Sequence, residues 1–306
     1  MKFKTSAIAL AVAGTVAAPV AVQAGADEIY ASARVGVWNV DQGDQSQWEV
    51  RGFASRFGAR GETDLGNGLT GFGRYEWAVD MNNGGTIGNR HRYVGLKGGF
   101  GSVTLGQSYH TFYNFVVGPG DIPWWHSGYA MVNYRGRTDK AITYAGGTGA
   151  VNFGASVYMA PDAEEEEIDQ MELGISFGIG DVTIAGALQT TADDTAQGSA
   201  GNDEDIIGVA VSGINFGPVG LVFGAQMQDD DQSLLAHVDI NSFYYHLEML
   251  SVDATDQDRM SHTFGYTMGL GRKTTMYFEL NSIDNDTGDS DDDRTAVMAV
   301  LKYDII

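Results

Sequence analysis

The sequence predicts an all-β chain, a single transmembrane antiparallel β-barrel of about 16 strands with short turns at one end and long loops at the other. Three observations predict it. Apolar and polar residues alternate with period two in segment after segment, which marks strands with one apolar and one wetter face. The connectors alternate between short, Gly-rich turns and long, polar loops. Beyond a secretory leader, no apolar run is long enough for a membrane helix, and a barrel carries its apolar signal in alternate positions instead. The composition agrees: 42 Gly, 5 Pro and 11% aromatics among 306 residues favour strands and tight turns.

The elements follow in chain order. "MKFK" is a basic start, residues 7–22 are apolar, and "VQA" places small residues at the −3 and −1 positions of a cleavage site. Residues 1–24 therefore read as a signal peptide and 25–306 as one barrel domain, with a cut after Ala26 fitting nearly as well. The apolar stretch is short for a membrane span. Without residues 1–24 the chain keeps 16 basic and 40 acidic residues, a charge of −24. That balance argues against a nucleic-acid partner, which needs a basic face. There is no cysteine, so disulfides and thiolate metal sites are excluded.

Alternation is clear in "VNFGASVY", "VTIAGALQ" and "TTMYFELNS"; in the last, Met276, Phe278 and Leu280 share one face and Tyr277, Glu279 and Asn281 the other. The short connectors are "DLGNG", "GGFG", "GGTGA", "GIGD", "NFGPVG" and "LGRK", rich in residues that tolerate positive φ. The long ones cover residues 161–170, 192–205, 252–258 and 283–293. A soluble β-sandwich also alternates, but the wetter face here carries Arg, Glu, Asn and Tyr, and no 20–50-residue repeat suggests a solenoid.

The basic residues are unevenly placed. Residues 141–258 hold no Lys or Arg, whereas 34–140 hold eleven of the sixteen that follow the leader. In a barrel built in chain order the first and last strands are neighbours, so these residues gather on one arc of wall. Ala33, Val35 and Val37 make an apolar face, so Arg34 faces the lumen. Phe53 and Phe57 are read as facing lipid, which turns Arg56 and Arg60 inward. Tyr75 and Trp77 face out, so Arg74 and Glu76 face in. In "NRHRYVGLKG", Arg90 and Arg92 are read as facing in and Tyr93 out. A charge on the lipid face at the midplane costs ~2–4 kcal/mol, which drives this assignment.

At this point the residues resemble a known family, the trimeric general porins of the Gram-negative outer membrane. "SRFGARGETDLGNGLTGFGRYEW" resembles its second strand, first turn and third strand; "RYVGLKGGFGSVTLGQ" resembles its fourth and fifth strands; "TYAGG", preceded by "YRGRTD", resembles its sixth. The match covers residues 55–147; beyond that the likeness is one of pattern. The resemblance implies sixteen strands, a homotrimer embedded among outer-membrane lipid and lipopolysaccharide, and passive diffusion of ions and small hydrophilic solutes. It also implies a third loop, residues 107–136, that folds into the lumen and faces wall arginines across a constriction. Arg56, Arg90 and Arg137 match the family's wall positions; Arg34, Arg60, Arg74 and Arg92 join them by the facing rule, with Glu76 among them. The loop departs from the family pattern. "PWWHSG" stands where an acidic run is usual, and Asp121 is the one acid between residues 107 and 136. Trp124 and Trp125 either line the constriction or wedge the loop against the wall. The C-terminus, "KYDII", lacks the family's terminal aromatic.

Most of the negative charge lies in the long loops. A solvated rim explains it; Ca²⁺ or Mg²⁺ bridging carboxylates to one another or to lipopolysaccharide is the sharper reading. Asp286, Asp289 and Asp291 in "DNDTGDSDDD" are the metal candidates, though the spacing is not that of an EF-hand. No cofactor is required. An enzyme is disfavoured because the six histidines show no metal-ligand spacing such as HExxH. An anchoring barrel whose acidic loops bind cations or a surface partner is the alternative to a pore.

Overall fold

Alternating segments joined by tight turns pair with their chain neighbours, and a chain of such hairpins leaves two edges that only closure can satisfy. The computed structural model describes residues 23–24, 27–82, 85–125, 136–159, 168–191, 205–253, 257–286 and 292–306. Among the described residues, sixteen antiparallel strands close a barrel. β1 is Glu28–Gln42, and β2 runs in two segments, Gln45–Gly52 and Ser55–Gly66. β3 is Leu69–Val79, β4 Ile87–Gly98, β5 Gly101–Gln107, β6 Ala141–Thr148 and β7 Val151–Tyr158. β8 is Gln170–Ile179, β9 Val182–Thr191, β10 Ile206–Phe216 and β11 Val219–Gln228. β12 is Asp231–Ile240, β13 Phe243–Val252, β14 Gln257–Gly269, β15 Thr274–Asp284 and β16 Arg294–Asp304. Closure comes from β16 pairing with β1, Leu301 opposite Val35 and Lys302 opposite Arg34.

One end of the barrel carries tight turns. In the first, Asn67 and Gly68 adopt φ 54° and 75°, the mirror-image hairpin turn that Asn-Gly favours. The other end carries the long connections, with two exceptions: residues 43–44 and 229–230 are two-residue turns.

The register separates two faces. One carries exposed apolar side chains, among them Val94, Leu105, Phe153, Leu173, Phe223, Leu234, Phe264 and Leu280. The other carries Glu76, Ser156, Glu172, His246 and Glu279, all buried. The third loop packs on this second face, which is therefore the inside of the barrel. The inner face is not polar throughout. Trp38, Phe53, Ala296, Met298 and Val300 form an apolar cluster there, and Phe112, Val116, Val117, Ala187 and Ile206 form another. Each is completed by third-loop side chains, so the apolar wall is a seat for that loop.

Two local irregularities correct the facing read from sequence. Between the two segments of β2, Ala54 adopts φ 50°. The break shifts parity by one, so Phe53 turns inward, fully buried, while Arg56 still faces in. In β4 the ladder slips between Glu76 and Trp77: Glu76 pairs with His91 but Trp77 with Asn89. Arg90 is the extra residue of this bulge, and both it and His91 reach the inner face. A one-residue slip inverts every later side chain. Tyr93 therefore pairs with Arg74 on the inside, and Arg92 pairs with Tyr75 on the outer face. The expectation that Arg92 faces the lumen and Tyr93 the lipid is reversed.

Candidate functional site

The inner wall of β1–β4 gathers arginines around one carboxylate. Glu76 is wholly buried. Arg90 Nε donates to its Oε1 at 2.8 Å, and Arg74 Nη2 and Tyr30 Oη donate to Oε2 at 2.5 and 2.9 Å. Arg74 Nε also donates to the Tyr30 hydroxyl at 2.8 Å, and Arg56 stands 4.0 Å from Oε1. Taking a carboxylate out of water costs several kcal/mol unless such partners replace the hydration. The guanidiniums stay wetter: the side chains of Arg56, Arg74 and Arg90 are 22%, 25% and 16% exposed. Three arginines, with Arg34 beside them, thus share one acid that itself sees no water.

The other charged residues of this arc are paired singly. Arg51 reaches Glu49 at 3.1 Å, Lys97 reaches Glu62 at 2.6 Å, Lys302 reaches Asp304 at 2.9 Å, and Arg60 bridges to Glu28. Arg92, outside, bonds Gln107 at 3.0 Å and Asp139 at 3.5 Å.

The third loop, described over residues 108–125 and 136–140, runs from the end of β5 along the inner wall. Thr111 bonds Ser156 of β7 through both its N–H and its hydroxyl, at 3.0 and 2.8 Å. The Phe112 N–H donates to Glu172 of β8 at 2.8 Å. One π-helical turn, Tyr113–Val117, and a 3₁₀ turn, Gly118–Gly120, then carry the loop past β8–β12. The wall is thinned to admit it. A Cβ on Gly208 would lie 2.6 Å from Val116, and one on Gly174 would lie 2.8 Å from Thr111. The loop next reaches Glu279 of β15, which accepts the N–H groups of Trp124 and Trp125 and the hydroxyl of Tyr244. Trp124 stacks on Tyr277, ring centres 3.7 Å apart, and the Arg34 guanidinium lies 4.6 Å from the Trp124 ring. Trp125 meets Phe53 edge-on at 5.1 Å and Trp38 at 5.9 Å, and Arg51 covers Trp38 at 3.8 Å.

Trp125 is thus wedged into the wall, while Trp124, between Tyr277 and Arg34, is half-buried at the border of the arginine cluster. Asp121 accepts from Tyr113 Oη at 2.7 Å. Arg137 stacks over Tyr109 at 4.9 Å, and Tyr109 in turn faces His91 at 5.1 Å. The structure brings Arg34, Arg56, Arg74, Arg90 and Glu76 together, sets Trp124 beside them, keeps Arg60 with Glu28, and separates Arg92. Sequence reading missed Tyr30, Arg51 and Glu279; the cue for Glu279 was a carboxylate on the polar side of a clearly alternating strand. Asp286 is described and bonds Asp284 through its N–H at 3.0 Å; Asp289 and Asp291 lie outside the described residues. Among the described residues no three acids or histidines form a metal-ligand group.

Known proteins resemble the chain at two levels. A family model described as Gram-negative porin matches residues 5–305. Major outer membrane protein P.IB of Neisseria gonorrhoeae is 40% identical over 60 residues, 19% of this chain and 17% of that protein. Its counterpart in Neisseria lactamica is 39% identical over 61 residues, 19% of this chain and 18% of that protein. The match thus spans less than a fifth of the curated relatives. Among solved structures, an anion-selective porin from Comamonas acidovorans aligns with TM-score 0.77 and 18% identity over 92% of this chain and 100% of that one. OmpF of Salmonella typhi, in complex with daunomycin, aligns with TM-score 0.72 and 15% identity, covering 91% and 98%. OmpT of Vibrio cholerae in its trimer form gives 0.68 and 15%, covering 92% and 100%. At these identities the likeness is one of fold.

Proposed function

The chain belongs to the Gram-negative porin family, a channel-forming barrel integral to the outer membrane, and from that premise we propose how its lumen selects what passes. Ions and small hydrophilic solutes diffuse through a water-filled passage whose narrow part lies between the β1–β4 arginines and the third loop. The passage prefers anions. The observation that carries this is the charge balance at Glu76, where three guanidiniums share one buried carboxylate and Arg34 stands beside them. Three acids of the remaining wall do not offset it in the water path: Glu172, Glu248 and Glu279 are 2%, 4% and 2% exposed. A charge that faces water in a low-dielectric cleft acts on passing ions far more than one capped by donors behind a loop. The Comamonas acidovorans neighbour is described as anion-selective; here the same preference rests on this chain's own residues.

Residues 1–24 act as the export signal, and three barrels assemble in the membrane among lipid and lipopolysaccharide. Planar-bilayer recording of the purified protein tests this reading. Current steps that close in threes are expected. Folded protein that conducts nothing overturns the open channel.

A further inference from the structure

On the wall away from the arginines, four titratable groups form a line across two strands. His237 and His246 are cross-strand partners on β12 and β13, each 1% exposed. Their Nδ1 atoms are 3.2 Å apart. His246 Nε2 lies 2.7 Å from Glu248 Oε1 at one end, and His237 Nε2 lies 3.9 Å from Asp239 Oδ1 at the other. We propose that this Glu248–His246–His237–Asp239 line is a proton-binding site that takes up one proton from the lumen and so adds one positive charge to the channel wall.

Donor counting carries the proposal. A carboxylate only accepts, so His246 Nε2 bears a hydrogen and its Nδ1, in the neutral ring, bears none. The single hydrogen between the two Nδ1 atoms then belongs to His237. That leaves His237 Nε2 a bare, buried atom without a hydrogen-bond partner among the described residues. Such an atom costs free energy that a hydrogen bond would recover. One added proton supplies the missing donor: Nε2–H points to Asp239, Nδ1–H still donates to His246, and His246 still donates to Glu248. The new N–H then faces the Asp239 carboxylate at ion-pair distance, the other two hydrogen bonds of the line are kept, and the line carries one negative charge instead of two.

The surroundings leave the proton no nearer competitor. Across β11, His237 faces Val222; across β14, His246 faces Thr263. From β13, Tyr244 tilts over His237 at 5.7 Å, its hydroxyl held by Glu279. The third loop meets this wall at Gly120, against Leu235, and the adjacent Asp121 is held by Tyr113. Because Glu279 also anchors Trp124 and Trp125, the proton binds one ring away from the loop's attachment.

The test uses the full-length protein, refolded, with His237→Gln and His246→Gln variants and two readouts. Infrared spectra of protein carrying ¹³C-ring histidine report imidazolium directly, without any need for current. On acidification the wild type is expected to gain one imidazolium that His237→Gln lacks, while matching circular dichroism shows that the variant is folded. In bilayers, the Cl⁻:K⁺ permeability ratio of the wild type should rise on acidification by about twofold more than that of either variant, the scale expected for one unit charge a few ångströms from a water-filled path. Spectra in which wild type and His237→Gln gain the same imidazolium overturn the proposal, whatever the bilayers show. A barrel that fails to conduct, with the imidazolium intact, overturns the open-channel reading and leaves the proton site standing.

Discussion

Replacing Trp125 with Ala removes the wedge that holds the far end of the third loop. The loss can be sized from its contacts. Trp125 makes two edge-on aromatic contacts, with Phe53 and Trp38, and Arg51 lies 5.5 Å from its ring. Buried Trp→Ala changes cost ~3–5 kcal/mol, and Trp125 is only half-buried, so about 3 kcal/mol applies. The barrel's hydrogen-bond ladder is untouched, so the cost falls on the docked state of the loop and not on the fold. About 3 kcal/mol shifts a docked-to-undocked ratio by roughly 100-fold. The glutamate clamp on the Trp124 and Trp125 N–H groups remains, so the loop loosens without detaching. Single-channel recording should show larger current noise and altered mean conductance in Trp125→Ala, with near-native values restored in Trp125→Phe. Noise and conductance identical to wild type would mean that the wedge contributes nothing to the loop's position.

Three further outcomes are expected. Glu76→Gln removes the shared carboxylate, so the Cl⁻ preference should increase, and melting should show the barrel destabilised by about 1–2 kcal/mol, less than for a fully buried pair because the arginines keep some water. Arg90→Ala should lower the Cl⁻:K⁺ permeability ratio while Arg92→Ala leaves it unchanged; equal effects from the two would contradict the bulge in β4. Glu279→Gln weakens the acceptor of two loop N–H groups and the Tyr244 hydroxyl, at about 1–3 kcal/mol, and should raise protease cleavage of the third loop in folded protein.

Much of this was legible in the sequence, for a physical reason: a barrel wall must put apolar side chains out at every second position, so strands, turns and the inward set of "TTMYFELNS" follow from alternation. Arg34, Arg56 and Arg74 fell on the inner face by the same rule. What alternation does not carry is where it breaks. Nothing in "GFASRF" marks Ala54 as the residue that takes positive φ, and alternation accordingly puts Phe53 on the wrong side. For Arg92 the cue was present, since Val94 and Leu96 alternate with it and both are outward. Arg90 reaches Glu76 only because a bulge precedes that run. The apolar seat of the third loop was hidden for another reason. Met298 and Val300 lie in a strand whose other face is also apolar, and such a strand gives no sign of which side a loop will cover. The helical turns at residues 113–120 and the wedge at Trp125 depend on contacts between residues far apart in the chain, which no local pattern encodes.

On the proposed reading the arginines around Glu76, and not the acidic surface of a chain with net charge −22, govern the water path. The reversal potential of the wild-type channel in a KCl gradient at neutral pH tests it most directly. An arginine-governed path gives the sign that marks Cl⁻ as the more permeant ion, with Arg56→Ala and Arg90→Ala each moving the potential toward zero. A sign that marks K⁺ as the more permeant ion, unchanged in those variants, would contradict it.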